Sequence, residues 1–286
     1  MARIKHGVFS WEDVLAQRYQ SNKPSALPKP RRRTLAGQEH PEESPQSDTE
    51  SGTPTQDASL LLTRLSPEVR LIIWEQVLGG RRLHIIQKCR RRLCHVSCPL
   101  RESCDICRGG LAQPAKDCEV PHDWDLLSLP MTCKQIYHES IHMVYSLNTF
   151  EFSNTWSLTY LRPTVPQERW DEIRAVELKW AFPGHWLPSK DPVKTIYVSA
   201  GRQQWLDTCK AITKMKNLQA FTLSLTGNWF SEPVEKIPVF LEPLRDLKLK
   251  QRWNVQLPEQ PYYINEISEL NDTMRKRGVD CSIQIA

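Results

Sequence analysis

Two clusters of residues in this 286-residue chain have the types and spacing that chemistry needs. The first is His138-Glu139-Ser140-Ile141-His142. On a helix, positions i and i+4 put both imidazoles on one face, where they can share a zinc ion while the intervening glutamate activates a bound water for peptide hydrolysis. The second is a cysteine-rich insert at about residues 89–122, carrying Cys89, Cys94, His95, Cys98, Cys104, Cys107, Cys118 and His122. Cys104 and Cys107 have the C-x-x-C spacing that brings two thiolates to one tetrahedral metal, and Cys94 or His95 with Cys98 is the natural second pair. The cofactor this points to is a structural zinc held by Cys94, Cys98, Cys104 and Cys107; the other reading is a loop of reduced thiols.

The helix that must carry the first cluster tells against catalysis. At about 100° per residue, Cys133, Ile136, Tyr137, Ser140, Ile141 and Val144 form its apolar face, while His138 and His142 project to the other side with Lys134, Gln135 and Ser146. A catalytic zinc also needs a third protein ligand. A metzincin continuation would have Gly and His where the chain has Tyr145 and Asn148, and Glu168 and Glu172 sit beside Pro166 in a stretch that reads as a loop. No phosphate-cradling glycine loop, dinucleotide fingerprint or nucleophile elbow occurs. The expectation is a protein that is not an enzyme, with a zinc-dependent peptidase built on His138, Glu139 and His142 as the alternative.

A second helix is announced by Leu65-Ser66-Pro67-Glu68-Val69-Arg70-Leu71. Ser66 is placed to cap it, Pro67 suits the first helical position, and Glu68 complements the positive helix end. Val69, Ile72, Ile73 and Val77 recur at helical spacing, so they are expected to face the core, and Gly79-Gly80 supplies the left-handed stop. With Thr132-Cys133-Lys134-Gln135-Ile136-Tyr137-His138-Glu139 and Tyr145-Ser146-Leu147-Asn148-Thr149-Phe150-Glu151-Phe152, this stretch resembles a fungal F-box-like family of unknown function. The resemblance covers about a third of the chain, and the F-box-like helices are split by the insert. It implies a substrate adaptor of a cullin-type ubiquitin ligase, with Leu65, Pro67 and Leu71 as the edge that binds the ligase's adaptor subunit.

The remainder alternates helix and strand signals. Val176, Leu178 and Trp180 alternate with Glu177 and Lys179, as do the residues of Phe221–Leu225 and of Val279–Ile285. Further strands are expected at Arg82–Ile86, Thr149–Phe152, Leu247–Leu249 and Val255–Leu257, and helices around Trp205–Thr213 and Ile264–Met274. The rhythm is like that of an irregular leucine-rich array without its repeat period, so the expected fold class is α+β: an F-box-like helical pair packed with a mixed α/β sheet domain over residues 59–286. Ahead of it, Ser21 to Ala58 is rich in Pro, Ser, Thr, Glu and Gln and reads as a disordered linker at 21–58. In residues 1–20, Val8, Trp11, Leu15 and Tyr19 share one face of an amphipathic helix that either docks a partner or folds back on the main domain.

The net charge of +5 is concentrated in Lys29 to Arg33 and around the insert at Arg81, Arg82, Lys88 and Arg90 to Arg92. Such short runs come without a base-reading motif or a stacking platform, so nucleic acid is not an expected partner. The apolar stretches are too short to span a membrane and the first residues carry no secretory pattern, which points to a cytoplasmic or nuclear protein. Of ten tryptophans, Trp180 and Trp205 are expected in the core, and Trp186 and Trp229 in loops suited to an interface.

Overall fold

The computed structural model describes residues 59–87, 93–98, 126–152, 157–181, 192–226, 236–258 and 266–285. In chain order these form α1 (Leu60–Arg64), α2 (Pro67–Leu78), β1 (Arg82–Gln87), β2 (Leu93–Ser97), α3 (Lys134–Ser146), β3 (Thr149–Phe152), α4 (Ser157–Leu161), α5 (Gln167–Asp171), β4 (Ala175–Ala181), α6 (Pro192–Thr213), β5 (Ala220–Thr226), α7 (Ile237–Leu241), β6 (Trp253–Leu257), α8 (Ile267–Lys276) and β7 (Cys281–Ile285). The seven strands make one mixed sheet in the order β2-β1-β3-β4-β5-β6-β7. β2 pairs antiparallel with β1, and all other neighbours are parallel.

From β1 onward each parallel connection steps one strand in the same direction. Because such crossovers are right-handed, a constant step keeps the helices on one face of the sheet. That face is the apolar one. Leu83, Ile85, Phe150, Phe152, Val176, Leu178, Trp180, Phe221, Leu223, Trp253, Val255 and Ile283 alternate inward from β1 and β3 to β7 and join one core with the helices. Trp205 of α6 packs edge-on against Trp180 and stacks on Phe240 of α7, and its indole Nε1 donates to the Phe240 carbonyl at 2.8 Å. Trp180 and Trp205 are thus core residues, as their patterns predict.

Most strand expectations hold, with two corrections. Leu247–Leu249 has no regular secondary structure and joins no ladder, and β2, inside the cysteine-rich insert, carries no alternation that marks it beforehand. Glu168 lies in the short helix α5 behind Pro166 rather than in a loop. The start of α2 at Pro67 is as expected, but Ser66 makes no capping hydrogen bond with its side chain. At its end the two glycines divide the work. Gly80 is left-handed (φ 71°), whereas Gly79 is needed for space, since a Cβ there would come within 3.1 Å of the Leu147 side chain.

Asn148 fastens the helical pair to the sheet. Its Nδ2 donates to the carbonyls of Leu78 (2.8 Å) and Val144 (2.9 Å), near the C-terminal ends of α2 and α3, and its Oδ1 accepts from the Arg81 amide at 2.8 Å. The next residues on either side run straight into β1 and β3, which pair in parallel from Arg82 and Thr149. Ile136 and Ile141 of α3 are buried in the core. Truncating Ile136 to alanine is expected to lower the unfolding free energy by about 2–5 kcal/mol, as large-to-small core changes do. Denaturant titration of the Ile136→Ala variant checks it, and an unchanged midpoint would show the face to be misassigned.

Candidate functional site

The faces of α2 are only in part those its apolar periodicity predicts: of the four residues expected to face the core, Ile73 alone packs against it. Arg70, Trp74 and Leu78, spaced by four, are buried, whereas Val69 (43%), Ile72 (60%), Val77 (42%) and Leu71 (38%) are exposed. The reason is a polar lock between the helices. Glu139 of α3 accepts from Arg70 Nη2 at 2.7 Å and Gln135 Nε2 at 3.0 Å on one oxygen, and from Arg70 Nε and Trp74 Nε1, each at 3.1 Å, on the other. Arg70 Nη1 then donates to the carbonyls of Leu65 (2.8 Å) and Leu62 (3.1 Å), tying α1 to the pair. A buried guanidinium is tolerated only when its donors are matched in this way, so the helix turns its arginine inward and its branched aliphatics outward.

The same lock bears on the H-E-x-x-H motif. A carboxylate has about four lone-pair sites, and Glu139 has all four occupied, with none left to take a proton from water. The Arg70 guanidinium, with the Trp74 and Gln135 donors, holds its pKa down at about 2. That is the opposite of what a general base near neutral pH needs. His138 is exposed and sits edge-on to Tyr137, His142 is half-buried, and Glu168 is exposed on α5. Among the described residues no group of three or more His, Cys, Asp or Glu side chains is placed to hold a metal ion.

Of the insert's ligand set, Cys104 and Cys107 lie outside the described residues, as do Trp186 and Trp229. Cys94 lies within β2 and Cys98 directly after it, where its amide bonds the Arg82 carbonyl at 2.8 Å. Four residues of extended chain separate their Cα atoms by roughly 13 Å.

The predicted adaptor edge divides in the same spirit. Pro67 and Leu71 are exposed, while Leu65 is half-buried with its carbonyl engaged by Arg70. The outward stripe of α2 is instead Val69, Ile72 and Val77; Leu60 and Leu61 of α1 and Met131 ahead of α3 are exposed as well. An apolar row of this kind on a helix clamped from behind is the form of surface that interfaces use as their centre.

A second polar feature lies on the sheet face away from the helices. The register places His84, Glu151 and Glu177 in one row and Lys179 beside it. Glu151 Oε2 contacts His84 Nδ1, its Oε1 lies 2.9 Å from Lys179 Nζ, and Arg82 Nη2 lies 2.7 Å from Glu177 Oε1. His84, Glu151 and Lys179 are all buried. Toward β7 the rows continue as Thr222, Asn254 and Ser282, and as Ser224, Gln256 and Gln284, and here they reach solvent. Strand alternation puts His84, Glu151 and Lys179 on one face, but only the strand order makes them neighbours. Nothing in the sequence signals that.

No helix of the described residues is long and apolar enough to cross a membrane. Neither a curated protein nor a solved structure matches the chain. A family model does, over residues 54–277, a span that takes in both the helical pair with its outward stripe and nearly the whole sheet. The chain therefore belongs to the family described as a domain of unknown function, DUF7730.

Proposed function

We propose that the chain is a non-enzymatic protein-interaction module of the cytoplasm or nucleus, an F-box-like substrate adaptor whose helical pair binds the small adaptor subunit of a ubiquitin ligase. The observation that supports this is the outward stripe of Val69, Ile72 and Val77 on α2, backed by the Arg70–Glu139 lock. The lock fixes the helix so that binding need not order it, which lowers the entropic cost of association. The sheet domain, joined to the pair through Asn148, would present a client. No cofactor is assigned, and protein partners rather than nucleic acid or membrane are the expected ligands.

The test is capture of the ligase's adaptor subunit by the tagged chain and by its Ile72→Asp and Leu71→Asp variants. Ile72 is expected to matter most, with binding weakened at least tenfold, because burying an unpaired carboxylate in a desolvated interface is costly. Both variants are expected to keep the wild-type melting temperature, since the side chains are exposed. Undiminished capture by Ile72→Asp, or no capture by the wild-type chain, would reject the assignment. Peptide hydrolysis that is lost in Glu139→Ala would put the zinc peptidase in its place.

A further inference from the structure

Asn271 sits in the middle of α8, where a side chain that competes with the backbone for hydrogen bonds is a poor helix former. It is engaged at the edge of the sheet. Its Oδ1 accepts from the Ile283 amide at 2.9 Å and its Nδ2 donates to the Ile283 carbonyl at 3.1 Å, while Nδ2 also reaches the Ile267 carbonyl one turn back at 3.0 Å. β7 is the last strand in the sheet order, and among the described residues β6 is its one neighbour. The N–H and C=O of a strand residue point the same way, so Ile283 turns both groups outward, and those of Cys281 and Ile285 follow at the period of two. Asn271 thus takes, with one donor and one acceptor, the place that a residue of an eighth strand would take.

We propose that Asn271 guards the β7 edge, holding it closed to strand pairing with a second copy of this chain. The strand itself offers no such protection. An unpaired edge is a template for another strand, and proteins blunt edges with lysine, proline or a bulge. Cys281–Ile285 contains no charged residue and no proline, and it pairs with β6 residue for residue without a bulge. Outward groups recur at every second residue, so a block at the central Ile283 interrupts the only row of bonds that an incoming strand could form.

A second copy is the occupant because this edge is complementary to itself. Two β7 strands set antiparallel about a two-fold axis at Ile283 bring Ile283 opposite its own copy, Cys281 opposite Ile285, and Ser282 opposite Gln284. Cys281 and Ile283 are buried on the helix side and Ser282 and Gln284 reach solvent on the other, so apolar meets apolar, polar meets polar, and no like charges face each other. The edge lies at the far end of the sheet order from β2 and β1, and its guard is independent of the adaptor reading.

The experiment measures the sedimentation mass of the full chain and two variants at equal concentration. Asn271→Leu keeps the size of the side chain, suits the helix and removes both bonds to Ile283; it is expected to raise the dimer fraction at least about tenfold. Adding Ile285→Pro removes an outward N–H and sets a ring in the path of an incoming strand, at an edge position that tolerates proline, and is expected to restore the wild-type mass. A folded Asn271→Leu chain with the wild-type mass, or a larger mass that persists with Ile285→Pro, would overturn the proposal. If Asn271→Leu does not fold, amide exchange in the wild-type chain decides. The Ile283 amide is expected to exchange at least about tenfold more slowly than those of Cys281 and Ile285, which point the same way but do not meet Asn271, and equal rates would overturn the guard.

Discussion

Replacing Glu151 with alanine is expected to cost roughly 3–5 kcal/mol of folding stability, a large part of what a domain of this size has to spare. The carboxylate is 1% exposed and sits between the His84 imidazole and the Lys179 ammonium on the face of the sheet opposite the helices. Removing it leaves Lys179 as a buried cation without its counter-charge, and the desolvation penalty that the pair had offset is then felt in full. The expected rescue is informative: Glu151→Leu combined with Lys179→Met removes both charges together and should recover most of the loss, as apolar replacement of buried pairs commonly does. Chemical denaturation of the three variants measures the cycle. A single variant within 1 kcal/mol of wild type would mean that the triad contributes little.

The second large effect concerns pH. Glu139 has its pKa held at about 2, chiefly by the hydrogen bonds from Arg70. A carboxylate whose pKa is lower in the folded than in the unfolded state stabilises fully above the unfolded value, near 4.5, and that contribution is lost as the pH falls toward 2. Wild-type stability is therefore expected to decline through that window. Glu139→Gln keeps much of the shape but loses the charge, so it should be less stable at neutral pH by about 1–3 kcal/mol and show a flatter decline below pH 4.5. Parallel pH curves for the two proteins would mean that the lock between α2 and α3 is not electrostatic.

These two charged networks are also where sequence reading and structure part company. The α2 pattern establishes a helix from Pro67 and misjudges which side faces inward, because the polar residue Arg70 is drawn into the core by a partner 69 positions away. Burial by pairing is invisible to a periodicity that counts only apolar residues. Strand alternation in Val176–Trp180 and Phe221–Leu225 is legible, since a half-buried sheet imposes a period of two. Strand adjacency is not, because connections of such different lengths leave the order open.

The short helices α4, α5 and α7 are held by tertiary packing of Leu158, Trp170 and Phe240 rather than by propensity, and five-residue helices carry little periodic signal. The histidines His138 and His142 show the converse. Their spacing is that of a zinc peptidase, and their placement away from the apolar face of α3 is readable from the helix wheel alone. What the wheel could not give is the reason Glu139 is there, which is to hold Arg70.

The proposed role of the outward stripe of α2 is to bind a ligase adaptor. It is tested most directly by placing a photo-crosslinking side chain at position 72 in the full chain and mixing it with the purified adaptor subunit. The expected result is an adaptor adduct at position 72 and none from the same probe at position 142, on α3. Adducts absent from position 72, or equal at the two positions, would contradict it.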